Sequence, residues 1–192
     1  MIPPRRQRTT ISAVSTVVVA LALVAVMAAT ARDTTVAPRS WNQIGVGESG
    51  TIRDLSLTVT DARATGTLDL HGTPFTSSAA LVVVQADVAA TVDATYLGQV
   101  WLTTSDGRRY DPRDEWTSAQ PPIPAQPGFT VTGSWVFEVP PDGLDGAELV
   151  VDNDGAEFDW YDVGLRVRLG LDDGAIEQQM LPLPEGSVRV TS

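Results

Sequence analysis

From Ile44 onward, apolar residues recur at every second position, and no sustained helical stripe appears after residue 30. Side chains that alternate between two faces are the mark of a strand with one buried side. Leu55, Leu57 and Val59 alternate with Ser56, Thr58 and Thr60. Val82, Val84, Ala86 and Val88 share one face, with Gln85 and Asp87 on the other. Val131, Gly133, Trp135, Phe137 and Val139 oppose Thr132, Ser134 and Glu138, and Leu165, Val167, Leu169 and Leu171 alternate with Arg166 and Arg168. Shorter candidates are 99–104, 147–151 and 187–191, while 175–181 reads as one helical turn, or two at most. Ser105-Asp106-Gly107, Pro140-Pro141-Asp142-Gly143, Asp152-Asn153-Asp154-Gly155 and Asp172-Asp173-Gly174 are turn signals, because Gly, Asn and Asp tolerate positive φ. Strands with one apolar face must cover that face. About seven to nine of them are most simply satisfied by two antiparallel sheets packed face to face. The predicted fold is an all-β antiparallel sandwich, with Trp135 and Phe137 as the heavy part of its core. The Pro-rich stretch of Pro121, Pro122, Pro124 and Pro127 reads as a surface loop between strands.

A second feature sets the address. Residues 11–29 carry no charge and consist mostly of Val, Ala, Leu and Met, behind Arg5, Arg6 and Arg8. At about 1.5 Å per helical residue, such a run is roughly long enough to cross a hydrocarbon core. The positive-inside bias holds the arginines in the cytoplasm and delivers the C-terminal remainder of the chain to the far side. The expected organisation is a cytoplasmic tail over 1–10, a transmembrane helix over 11–29, a linker over 30–42 and an extracytoplasmic domain over 43–192. Ala29-Thr30-Ala31 is an A-x-A pattern, so cleavage to a secreted form is the alternative. The run exceeds the roughly 7–15 residues of an ordinary signal h-region, which favours a retained anchor.

Without residues 1–31, 10 arginines stand against 24 acids, a net charge of −14 on the exported part. Such a body repels nucleic acid phosphates and anionic headgroups, making both poor partners. Cysteine is absent, which excludes disulfides, thiolate metal sites, cysteine nucleophiles and a lipid-modified cysteine.

The order of elements resembles a bacterial family of exported immunoglobulin-like domains of unknown function, related to a secreted immunoprotective antigen. The resemblance rests on Val46-Gly47-Glu48 followed by Leu55-Ser56-Leu57-Thr58-Val59, and on the long strand Leu81 to Val88. It continues through Leu102, Asp106-Gly107-Arg108-Arg109-Tyr110, Pro127-Gly128 and Val136-Phe137-Glu138-Val139-Pro140. It covers roughly residues 44–152. One departure is Ala89-Ala90-Thr91, where the family usually carries an Asn. The resemblance implies an immunoglobulin-like fold and an exported address, and no activity.

Catalytic signals are weak. His71 is the sole histidine, in Leu70-His71-Gly72-Thr73-Pro74, and no Gly-x-Ser-x-Gly elbow exists to pair with it. It reads as an exposed loop residue. Asp152, Asp154, Glu157, Asp159 and Asp162 form the densest acidic cluster, and hard oxygen ligands so close in sequence can hold Ca²⁺. The EF-hand spacing is incomplete and no helices flank it, so a solvated acidic turn is the plainer reading. Trp101, Trp116, Trp160 and Tyr161 lie outside the core pattern or at its edge, where aromatics either cap a sandwich or receive a peptide or sugar. No residue is assigned as catalytic, cofactor-binding or metal-binding. The expectation is a non-enzymatic, membrane-tethered module that binds an envelope protein or ligand. The alternatives are a secreted antigen-like protein, or a Ca-dependent surface factor or enzyme using the 152–162 cluster.

Overall fold

Residues 40–113, 125–152 and 163–191 are described by a computed structural model. The chain divides into Met1–Pro38 and Arg39–Ser192, and every described residue belongs to the second unit. The expected membrane helix over 11–29 lies outside the described residues. Among the described residues no helix is long and apolar enough to cross a membrane.

Among the described residues there are twelve strands. They are β1 (Trp41–Gly45), β2 (Ser49–Ile52), β3 (Leu55–Leu70), β4 (Thr73–Ala90), β5 (Gln99–Thr103) and β6 (Arg109–Tyr110), followed by β7 (Phe129–Val139), β8 (Glu148–Asp152), β9 (Gly164–Arg168), β10 (Ile176–Glu177), β11 (Leu181–Pro182) and β12 (Ser187–Val190). They form a five-stranded sheet in the order β1-β9-β8-β5-β6 and a seven-stranded sheet in the order β10-β3-β4-β7-β12, with β2 and β11 also paired to β3. Leu57, Val59, Val82, Val84, Trp135 and Phe137 of the larger sheet meet Leu102, Leu149, Val151, Leu165 and Val167 of the smaller one in a single buried core. The fold is a β-sandwich, and Trp135 and Phe137 sit where the alternation places them.

Strand direction departs from the expectation. β1 runs parallel to β9, and both β10 and β11 run parallel to β3. The alternation of side chains is the same in parallel and antiparallel strands, so it carries no information on direction. Parallel neighbours need only a long connection between them, and more than a hundred residues of chain separate each of these pairs. The first strand also changes sheets. β1 lies in the smaller sheet and β2 in the larger, and Val46-Gly47-Glu48 makes the corner. Gly47 has φ 86° and donates its N–H to Val59 O at 2.8 Å, while Glu48 folds its carboxylate back onto the Gly45 N–H. Because β1 starts at Trp41, that residue and Asn42 belong to a sheet, although they look like linker in sequence.

β3 illustrates how one extra residue resets a strand. Val59 pairs with Ala86 and Asp61 with Gln85, leaving Thr60 as a bulge. Inward positions therefore pass from Leu55, Leu57 and Val59 to Ala62 and Ala64. The β3–β4 hairpin closes on His71 (φ 54°) and Gly72 (φ 89°). Two central residues at positive φ match the right-handed twist of the flanking strands.

The larger sheet is covered on its outer side too. Leu68, Leu81, Val83 and Val136 point away from the first core and are buried under Leu181 and Leu183, with Leu70 and Phe75 packed alongside. The segment read in sequence as a helical turn is thus a strap. It carries the two short strands β10 and β11, and its hydrogen-bonding groups pair with β3 instead of with one another. Asp173 fixes the approach to the strap: its Oδ1 accepts from the N–H groups of Leu144 and Asp145, each at 2.9 Å.

Candidate functional site

The outer face of the five-stranded sheet is built from the residues that alternate with its core positions. Register sets Gln43, Arg166, Val150 and Trp101 in one row across β1, β9, β8 and β5. Arg168, Glu148, Thr103 and Arg109 form the next row, ending on β6. Two arginines stand over the rings of two tryptophans. The Arg109 guanidinium stands 4.2 Å from the Trp101 ring centroid, and that of Arg166 stands 4.7 Å from the Trp41 ring. Trp101 Nε1 donates to Thr103 Oγ1 at 3.1 Å, which fixes the indole. Arg166 Nη1 reaches Glu148 Oε2 at 3.2 Å. Val150, 1% exposed, belongs to neither hydrophobic core and is enclosed on this face by its long neighbours. Gly164 lies under the Trp41 ring, and a Cβ there would run into Cζ3 and Cε3 of the indole, so the ring would have to shift.

The β5–β6 turn delivers Arg109 to this face. Thr104 is buried and donates its hydroxyl to Asp106 Oδ1, while Asp106 also accepts from the Arg108 N–H and guanidinium. The Thr104 hydrogen bond above all, with the Arg108 contacts after it, holds the Asp106 carboxyl below the ordinary carboxylate range. Gly107, at φ 81°, completes the turn by donating to Thr104 O.

A cleft of about 250 Å³ opens beside the same edge, lined by Leu97, Gly98, Gln99, Val100, Arg109, Pro112 and Trp135. Trp135, 2% exposed, is both part of the main core and part of the cleft wall.

His71 is exposed at the tip of the β3–β4 hairpin, and the nearby Asp69 carboxylate is occupied in accepting the Gly72 N–H at 2.6 Å. Asp152 is the last residue of β8, only 6% exposed, and so is not a solvated turn residue. Asp154, Glu157, Asp159 and Asp162 lie outside the described residues, as do Trp116, Trp160 and Tyr161. Among the described residues no group of three or more acidic or histidine side chains could hold a metal ion. The melting temperature of the full chain is expected to stay within about 1 °C when millimolar Ca²⁺ replaces a chelator. A site filled only in the folded state raises it by mass action, so a clear rise restores the calcium reading.

Inspection of the sequence passes over Trp41 and Glu148, and gives Arg109 and Arg166 no part in a site. Arg166 does alternate with Leu165 and Val167, which places it outward. Its ring partner is 125 positions earlier, and only cross-strand pairing brings the two together.

No protein-family model matches the chain, and no curated protein sequence matches it. Two solved structures are similar in outline. One is an uncharacterised β-sandwich protein from Clostridium difficile 630, 12% identical, with 67% of this chain and 95% of that chain covered at a TM-score of 0.46. The other is the yjhA protein from Bacillus subtilis, also 12% identical, with 65% and 98% covered at a TM-score of 0.46.

Proposed function

We propose that this chain is a membrane-tethered, extracytoplasmic module of the immunoglobulin-like type that recognises an envelope protein or small ligand and performs no covalent chemistry. The observation that carries the binding role is the face on which Arg109 covers Trp101 and Arg166 covers Trp41. Tryptophan and arginine dominate recognition surfaces because they supply large contact area and directional donors from few, stiff side chains. Here both are already ordered by cation–π contact and ion pairing, so little freedom remains to be lost on binding. The address rests on the uncharged run at 11–29 behind Arg5, Arg6 and Arg8. A polar, acidic sandwich on such an anchor acts by being held at the membrane surface and presenting a face.

The test is fractionation of the full chain expressed in a bacterial host. The protein is expected in the membrane pellet after an alkaline carbonate wash, and protease added outside the inner membrane is expected to digest the sandwich. A mature N-terminus at Arg32 would replace the anchor with secretion. Recovery from the cytosol with residues 1–31 still attached would overturn the proposal.

A further inference from the structure

We propose that the cleft beside Trp135 binds a small monocarboxylate carried on a flat apolar body, with Arg109 taking the carboxylate. This deepens the binding reading above by naming a ligand class for one edge of the same face.

The walls define the chemistry. Leu97, Val100, Pro112 and Trp135 contribute apolar wall, but the exposed surface of the cleft divides about equally between polar and apolar atoms, with Gln99 and Arg109 on it. Among the described lining residues, Arg109 is the one that carries charge. Its guanidinium is already fixed in two directions. The Trp101 ring takes one face at 4.2 Å, and Asp111 Oδ1 accepts from Nε at 2.9 Å and from Nη2 at 2.8 Å. The Nη1 group keeps its N–H donors with no acceptor among the described residues. A planar cation held in this way presents a pre-ordered edge to a carboxylate at small entropic cost. Asp111 does not cancel that edge. Its side chain is 69% exposed, and an exposed pair of this kind is strongly screened.

Size and overall charge narrow the ligand. Clefts that enclose a drug-sized molecule run from roughly 300 to 1,000 Å³, so about 250 Å³ suits a smaller body, of the order of a phenyl ring with a short acid chain. The net charge of −14 on the exported part repels polyanions at long range, whereas a single carboxylate on an apolar body meets little of that field.

The experiment titrates 3-phenylpropionate into the isotopically labelled full chain in lipid nanodiscs and follows the backbone amides of Gly98, Gln99 and Val100 by NMR. Saturable shifts confined to this edge are expected, with a dissociation constant in the millimolar range. The neutral isostere 3-phenylpropionamide is expected to bind at least roughly tenfold more weakly, because it cannot form the charge-assisted bonds. Arg109→Gln is expected to erase that preference, and Arg109→Lys to restore part of it, because lysine keeps the charge and loses the planar fork. Should Arg109→Gln not fold, the acid-against-amide comparison on the unaltered chain decides alone. Shifts that do not saturate, equal binding of acid and amide, or a preference that survives Arg109→Gln would each overturn the proposal. None of these outcomes bears on membrane retention, so a failed ligand class is distinguishable from a failed address.

Discussion

Replacing Phe137 with alanine is expected to lower the stability of the sandwich by about 3–5 kcal/mol, the usual range for emptying an aromatic site in a close-packed core. Phe137 is 0% exposed and lies near the C-terminal end of β7, paired in register with Val82 of β4. It shares one continuous core with Leu102, Leu149 and Val167 of the opposite sheet. Its removal leaves a void between two layers whose backbones are each fixed by a hydrogen-bonded ladder, so neither layer can move in to fill it. For a domain of this length the loss corresponds to a fall in melting temperature of roughly 10–15 °C. Val188→Ala is the control: Val188 is 63% exposed on β12, and a change there is expected to stay within about 0.5 kcal/mol. Both variants are compared by far-UV circular dichroism melts of the full chain. A loss below about 1 kcal/mol at Phe137 would mean that the two sheets do not close on one another at this residue.

The sheets were visible in the sequence for the reason that makes Phe137 sensitive. Trp135 and Phe137 stand two apart in an alternating run, and alternation registers burial on one side directly. Direction and pairing are not registered in this way. β1 beside β9, and β10 beside β3, are contacts across more than a hundred residues whose period-two signal is no different from that of a hairpin. The bulge at Thr60 hides in the same pattern, because it shifts the inward set from odd to even positions part-way along β3. The candidate face was legible only in pieces. Trp101 stood out as an aromatic outside the core pattern, and Arg166 as an outward cation. The stacking that joins Arg109 to Trp101 and Arg166 to Trp41 depends on sheet order, which local spacing does not encode.

One signal for a second buried layer was present and is easily read the other way. Ala79 to Val84 is apolar at every position, not at every second one. A strand apolar on both faces is covered on both faces. Leu81 and Val83 are indeed turned to the outside of the larger sheet, and Leu181 and Leu183 of the strap close over them.

Leu181→Ala is therefore expected to cost about 2–5 kcal/mol, with a consequence different in kind from that of Phe137→Ala. Leu181 is 4% exposed and pairs in register with Leu68 of β3. The strap is also held by the pairing of Ile176 and Glu177 with Ala64 and Thr65 of β3, and by Ile176 against the main core. Leu183 donates its N–H to Asp69 O at 3.1 Å, and Thr65, 0% exposed, holds its hydroxyl 3.1 Å from Gln179 O and 3.0 Å from Thr67 O. That hydroxyl has one proton, so it can serve only one of those carbonyls at a time. Loss of the leucine thus removes much of the apolar contact that keeps 181–183 down, while the buried members of the main core, on the other side of the sheet, stay in place. The expected result is local opening before global unfolding. Hydrogen exchange at Leu183 accelerates strongly, exchange at Val84 and Phe137 changes far less, and Leu68, Leu81, Val83 and Val136 become accessible to a hydrophobic dye. If exchange at Leu183 and Phe137 instead accelerates by the same factor, the strap and the two sheets unfold as one unit, and the second apolar layer is an integral part of the sandwich.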